Sequence, residues 1–361
     1  MIFKSAVKVH KLKKITSFRV TLLSRSSKVL YLPAISAMGF AQVIAAFHAM
    51  HDMIGLPGNL LVIVVIILES RFHVMRYDVL LASLALSDIL LLILVNSFRS
   101  KSIAQEHWLY GQTMCYLNPF FVRYFYINTV LHLVAVSYNR YLAIVKSPLT
   151  YDGAITKTRV AFIALIWIIP VIPVSIVPFF LGWGKYTYNP ELIICEQGWA
   201  LDLQGSKIKI HESIIVAPIA IIVMPFLVIL FLNVSVYKTA SRQINAMVVQ
   251  VGGPVDAEIT QQQEMISRRL RDRKAAVDVT IITAAFLVCF IPFWVTSICR
   301  LFFPGIDVPT EVDLATTCIF FLSTICNPII YSIRKREFRS AVKKMFRRIG
   351  VCQDSNENDI V

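Results

Sequence analysis

Five oxygen-bearing side chains inside the apolar stretches of this sequence could together hold a cation. Asp88 sits midway along one stretch, in Leu84-Ala85-Leu86-Ser87-Asp88, and it reads as the one acid deep in any of them. A charge at mid-bilayer costs roughly 2.5–3.5 kcal/mol on insertion scales, so such a group asks for a reason. Asn59, Thr129, Ser323 and Asn327 fall at comparable depths in other stretches. One carboxylate among neutral oxygens suits a small hard cation such as sodium; the plainer alternative is a protonated packing residue held by hydrogen bonds. No other cofactor is expected.

Other chemistries find less support. No His-Glu-x-x-His spacing for a metal hydrolase occurs, and His132 is a lone imidazole suited to a buried hydrogen bond. Paired intramembrane aspartates are not seen. Arg123 lies deep in its stretch, where a guanidinium could receive a carboxylate or phosphate by bidentate hydrogen bonds. Arg99 and Arg300, near the ends of theirs, read as anchors snorkelling to the headgroups. Cys115 and Arg140 are 25 residues apart, about 37 Å along a helix. If Cys115 is at the outer edge, Arg140 emerges at the cytoplasmic surface. Cys115 and Cys195 then share the oxidising side, where a disulfide is favoured.

The elements that must position these groups are membrane helices. The chain has 361 residues, 57% hydrophobic and 16% charged, with a mean hydropathy of +0.66. Soluble domains are about one quarter charged, so this chain has too little polar surface to face water all round. A spanning helix needs about 20 mostly apolar residues. Seven segments meet that length: 40–68, 79–98, 115–139, 160–181, 212–237, 276–299 and 312–333. The expected fold is therefore an all-α integral membrane protein. A seven-helix transmembrane domain covers 39–334, a short amphipathic surface helix 335–348, and a cytoplasmic tail 349–361. Of 36 basic residues, 21 fall on the side that carries the C-terminus and six in the opposite loops, which places the C-terminus in the cytoplasm. Residues 1–38 form a basic tail that runs against this rule. An unusual outer tail, a presequence-like segment and a start nearer Met38 stay open as explanations. Cys352, after the basic helix, is a candidate for lipidation. The basic excess belongs to the bilayer surface, and no nucleic-acid partner is expected.

Taken in order, the motifs resemble the rhodopsin-like (class A) G-protein-coupled receptors over about residues 40–348. The residues that carry the resemblance are Gly58-Asn59, Leu84-Ala85-Leu86-Ser87-Asp88, Trp108-Leu109-Tyr110-Gly111 before Cys115, Tyr138-Asn139-Arg140-Tyr141, Trp167, Pro225, Cys289-Phe290-Ile291-Pro292, Asn327-Pro328-Ile329-Ile330-Tyr331 and Phe338. The resemblance implies a plasma-membrane receptor with its N-terminus outside. It would bind an extracellular ligand and activate heterotrimeric G proteins, with arrestin as a further partner. A transporter or channel is the rival reading, disfavoured because no second half of the chain repeats the first. The resemblance also implies a sodium site at Asp88 and G-protein coupling through Asn139, Arg140 and Tyr141, with Arg140 locked by Asp272. The implied activation switch is built from Phe286, Phe290, Pro292, Pro225, Asn327, Pro328 and Tyr331. Ligand-pocket candidates are Val122, Arg123, Phe293, Trp294, Thr317 and Phe321.

Several departures bear on function. Asn139 replaces the family's acid beside the arginine, which predicts raised basal signalling. Phe290 stands for the switch tryptophan. Asn233 stands for the fifth-helix tyrosine, with Tyr237, one turn further on, as a candidate substitute. Val122 occupies the position of the aspartate that pairs with amines, and Phe321 that of the lysine that holds retinal. The expected ligand is thus neither an amine nor retinal, and Arg123 favours an acidic one.

Overall fold

The computed structural model describes residues 39–70, 79–146, 157–173, 185–189, 193–198, 212–250, 277–278, 280–299, 308–334 and 336–348. Two units partition the chain, Met1–Val43 and Ile44–Val361, and the helical bundle is the second. Residues 1–38, Asp272, Arg300 and Cys352 lie outside the described residues.

Among the described residues seven helices form the bundle: α1 (Phe40–Ser70), α2 (Val79–Ala104), α3 (Gly111–Lys146), α4 (Lys157–Ile168), α5 (Glu212–Gln250), α6 (Thr280–Cys299) and α7 (Thr310–Arg334). An eighth, α8 (Arg336–Arg348), follows. Six of the seven are long and apolar enough to cross a bilayer; the described part of the α4 region, Val160–Pro173, is a shorter apolar helix. Helices satisfy every backbone polar group within the segment, which is why apolar runs of this length take that form in lipid. The outward faces stay apolar: Phe231 is 65% and Met53 77% exposed. Surface of that kind belongs against lipid rather than water.

The core follows the bundle axis through Val62, Val65, Leu81, Val95, Phe125, Val130, Leu133, Ile229, Phe286, Phe290, Phe321 and Tyr331. A smaller cluster near the C-terminal end of α3 joins it to α5 through Ile144, Val236 and Ala240, with Tyr141 packed against it. Two glycines set the approach of α1. A Cβ on Gly58 would stand 3.0 Å from Pro328 Cγ on α7, and one on Gly55 would stand 2.6 Å from Leu92 Cδ1 on α2. Gly58 therefore lets α1 lie against the proline of the α7 motif.

Three local features were not expected. Residues Leu92–Asn96 of α2 form a π-helical turn, and the extra residue per turn re-aims the outer part of the helix toward α1. At Leu322 the α7 helix changes course, and the Ser323 and Thr324 hydroxyls donate back to the Phe320 and Phe321 carbonyls at 2.8 Å. Between α4 and α5 the strands β1 (Lys185–Asn189) and β2 (Ile194–Gly198) pair antiparallel, with Tyr188 opposite Cys195. A disulfide joins Cys195 to Cys115 at the start of α3.

Candidate functional site

Two polar levels and one aromatic layer stack through the bundle. Near its middle, Asp88 is 2% exposed, and Asn327 Nδ2 donates to its carboxylate at 2.9 Å. Asn59, wholly buried, turns instead to backbone, donating to the Gly55 and Thr324 carbonyls at 2.9 Å each. Of the five expected cation ligands the structure joins Asp88 to Asn327 directly, and Ser323 bonds to its own helix. Thr129 is buried. Asn59 Oδ1 and Ser87 Oγ are buried without a hydrogen-bond partner, so acceptor oxygens are left at this level. Oxygen donors beside one carboxylate fit sodium. Among the described residues no three His, Cys, Asp or Glu side chains are spaced as a transition-metal site.

Outward of this level lies the aromatic layer. Phe290, 2% exposed, stacks on Tyr126 with centroids 4.2 Å apart and planes 4° apart. It also stacks on Phe286 at 5.4 Å and meets Phe320 at 5.5 Å, Trp294 at 5.7 Å and Phe293 at 6.2 Å. One ring on α6 thus touches α3, α7 and both neighbouring turns of its own helix. Arg123 lies one turn outward of Tyr126 on α3. The Tyr126 hydroxyl and Trp294 Nε1 are both buried, and the two rings lie 6.2 Å apart at a tilt of 46°. Val122 is partly buried and packs at the edge of the core, while Thr317 and Phe321 are buried in α7. A separate shallow cavity of about 490 Å³ opens on the outer rim, lined by Trp108, Gln112, Tyr116 and Tyr188. It is remote from the aromatic layer, whose rings fill the space between α3, α6 and α7.

The third level, between α1 and the outer part of α2, escaped the reading of the sequence. Asp52 is a second acid inside a span, so Asp88 is not alone. Its carboxylate accepts from Asn96 Nδ2 at 2.8 Å and from Ser97 Oγ at 3.0 Å. Asn96 also donates to the His48 carbonyl at 2.7 Å, and its Oδ1 lies 2.6 Å from His48 Nδ1. His48 Nε2 in turn lies 3.6 Å from the Cys318 thiol of α7. The signal was present as His48, His51 and Asp52 at i, i+3 and i+4, one face of a helix otherwise apolar. Arg99 is corrected as well. It is 6% exposed and belongs to the bundle rather than the headgroups, because the π turn re-aims the stretch of α2 that carries it.

Beside α4, His132 Nε2 and Trp167 Nε1 meet the Ser83 hydroxyl at 2.8 and 2.9 Å. The Tyr124 hydroxyl donates to the Trp167 carbonyl at 2.7 Å, and Asn128 Nδ2 donates to the Ile166 carbonyl at 3.1 Å. His132 is thus the buried hydrogen-bonding residue expected.

Where α7 ends, Arg334 Nε donates to Asp278, two residues ahead of α6, at 2.5 Å. The expected partner of Arg140, Asp272, lies outside the described residues. Tyr331 is 3% exposed within the core. Asn233 is buried and Tyr237 is 49% exposed, so Asn233 and not Tyr237 faces into the bundle here. Phe338 and Ala341 seat α8 on the core, and Arg339 caps α7 through the Ser332 and Ile333 carbonyls.

Comparison with known proteins agrees with this layout. The family described as "7 transmembrane receptor (rhodopsin family)" matches residues 58–331. The chain is 27% identical to 5-hydroxytryptamine receptor 4 of Rattus norvegicus, over 86% of this chain and 77% of that one. It is 29% identical to octopamine receptor beta-2R of Chilo suppressalis, over 79% and 75% of the two chains. Trace amine-associated receptor 9 of Rattus norvegicus is 27% identical over 84% and 88%. The crystal structure of squid rhodopsin superimposes with a TM-score of 0.72 over 89% of this chain and 92% of that one, at 20% identity, a likeness of fold.

Proposed function

Because the chain belongs to the rhodopsin family of seven-transmembrane receptors, we propose that it couples an extracellular ligand to nucleotide exchange on heterotrimeric G proteins. It does so from the plasma membrane, with its N-terminus outside. The observation that carries this reading is the continuous ring contact from Tyr126 through Phe290 to Phe286. A ligand pressing on Tyr126, Phe293 or Trp294 moves Phe290, and α6 cannot answer without shifting its inner end. In a packed core such a shift is a switch between two arrangements rather than a graded strain. Arg140 is the residue a G protein meets once α6 has moved, flanked by Asn139 and Tyr141. Pro225 and Pro292, each lacking a backbone donor, give α5 and α6 their pivots.

The ligand is acidic or rich in hydrogen-bond acceptors. The relatives are named for amines, but this chain carries Val122 where such receptors place the aspartate that pairs with the ammonium. Arg123 brings a guanidinium to the next position, and the Tyr126 hydroxyl and the Trp294 N–H offer further donors. Sodium, held by Asp88 with Asn327, Asn59, Ser323 and Thr129, steadies the resting arrangement. A pooled screen of carboxylates and amines in cells carrying several Gα reporters tests the ligand class. Carboxylate agonists that lose potency in Arg123→Ala support it. Amine agonists indifferent to Arg123→Ala refute it.

A further inference from the structure

The cavity of about 490 Å³ on the rim adjoins the Cys115–Cys195 disulfide, and three separate segments build its walls. His107 and Trp108 come from the connection between α2 and α3, Gln112 and Tyr116 from the first turns of α3, and Tyr188 from β1. Each aromatic wall is held in place. Trp108 Nε1 donates to the Gly111 carbonyl at 2.8 Å, and its ring meets Tyr110 edge-on at 5.6 Å. Gln112 Nε2 donates to the Tyr116 hydroxyl at 2.6 Å, one turn along the same helix. Tyr188 pairs with Cys195 across the hairpin, and the disulfide ties that pair to α3. The rings are thus set before a ligand arrives, which lowers the ordering cost of binding. Their faces stay open, with Tyr116 42% and Tyr188 40% exposed.

The lining decides the class of ligand. An anion finds no Lys or Arg there, and a primary ammonium finds no carboxylate to take its N–H bonds. Rings are what the cavity offers. The face of an aromatic ring is the negative lobe of its quadrupole, so faces that border one space attract a cation. A quaternary ammonium suits them best, because it has no N–H to satisfy and presents only methyl groups to the rings. Tyr and Trp also gather at membrane–water interfaces as a belt. Belt residues meet the headgroups singly, whereas these three close on one concavity from three segments.

We propose that this cavity is a quaternary-ammonium site, in which Trp108, Tyr116 and Tyr188 form an aromatic cage for the trimethylammonium group of a choline compound. The disulfide puts this end of the bundle on the oxidising side of the membrane. The group reaches the cage there from solution, as a free choline compound, or from the bilayer, as a phosphatidylcholine headgroup. The recognition is the same in both cases. Binding asks nothing of Arg123, whose proposed ligand has the opposite charge, so the cage goes beyond the receptor reading and stands apart from it.

The full-length chain is placed in nanodiscs of phosphatidylglycerol, which hold no choline of their own, and choline is titrated against them by saturation-transfer NMR of its methyl signal, with empty discs as the blank. Saturable binding is expected. The neutral carbon isostere, dimethylbutanol with a tert-butyl group in place of the trimethylammonium, is expected to bind at least about tenfold more weakly. Tyr116→Leu and Tyr188→Leu each weaken choline binding roughly three- to tenfold, while Tyr188→Phe, which keeps the ring face, holds it within about twofold. Equal binding of the isostere overturns the preference for a cation. Absence of saturable choline binding, or binding unchanged in both leucine variants, overturns the cage. A repeat in phosphatidylcholine nanodiscs names the source: loss of free-choline binding there assigns the lipid headgroup, unchanged binding assigns the soluble compound, and either supports the cage. None of these readouts needs a G protein, so they are separate from the receptor reading, which fails if the chain activates no heterotrimer.

Discussion

Arg334 at the end of α7 and Asp278 just ahead of α6 form a charge-assisted pair at 2.5 Å, where the one helix ends and the other begins. Asp278 is buried and Arg334 one-third exposed, so the pair is partly shielded from water and salt. A tie there holds the inner end of α6 against α7, in the place where a crevice for a G protein has to open. Asp278→Asn and Arg334→Gln are each expected to raise ligand-free nucleotide exchange, and the swapped pair Asp278→Arg with Arg334→Asp to bring it back down. Unchanged basal exchange in both single variants contradicts the restraint. Asn139→Asp is expected to act in the opposite direction, lowering basal exchange by returning an acid beside Arg140.

Phe290 is the hub of the aromatic layer, so its removal separates assembly from signalling. Phe290→Ala leaves a cavity among Tyr126, Phe286, Phe320 and Trp294 and costs on the order of 3–5 kcal/mol if the site does not collapse. A lower melting temperature in detergent, with membrane insertion retained and agonist-driven exchange lost, is the expected result. Full agonist response from Phe290→Ala contradicts the relay.

Asp88→Asn removes the one charge at the level of Asn59, Ser87 and Asn327. Wild-type basal exchange is expected to fall as sodium replaces potassium at constant ionic strength, and the variant to lose that dependence. A wild type equally active in both salts contradicts the cation site.

Asn96 makes three contacts between α1 and α2, to the His48 ring, the His48 carbonyl and Asp52. Asn96→Leu strips partners from buried polar groups, each of which costs roughly 1–3 kcal/mol when left unpaired. A clear drop in melting temperature is expected, larger than for Ser97→Ala, which loses a single hydroxyl. Equal melting of the two variants contradicts the central place given to Asn96.

What the sequence made legible follows from how far each group acts along the chain. Asp88 with Asn327 and Cys115 with Cys195 could be read because each residue sits in a motif of fixed spacing whose partner lies in another such motif. Asn59 was placed at the right level, yet its amide serves the Thr324 carbonyl, because Gly58 draws α1 so close to Pro328 that α7 backbone comes within reach first. The polar level of His48, Asp52 and Asn96 was missed for another reason. Its register depends on the π turn in α2, an insertion of helical phase that apolar periodicity does not reveal. Arg99 was misplaced by the same turn. Asp278 is not marked by the motif, whose spacing from Pro292 points to Asp272, six residues earlier. The β1–β2 hairpin is short, and the disulfide anchors it to α3.

The central claim is that rearrangement around Phe290 drives a G protein. The most direct test is GTP-analogue uptake by purified heterotrimers of each Gα class, mixed with the wild-type chain, Asp278→Asn and Arg140→Ala in lipid nanodiscs. The account predicts uptake by at least one class, faster with Asp278→Asn and absent with Arg140→Ala. Correctly inserted protein that accelerates uptake by none of them, while proteoliposomes of the same preparation pass ions or solute, would contradict it.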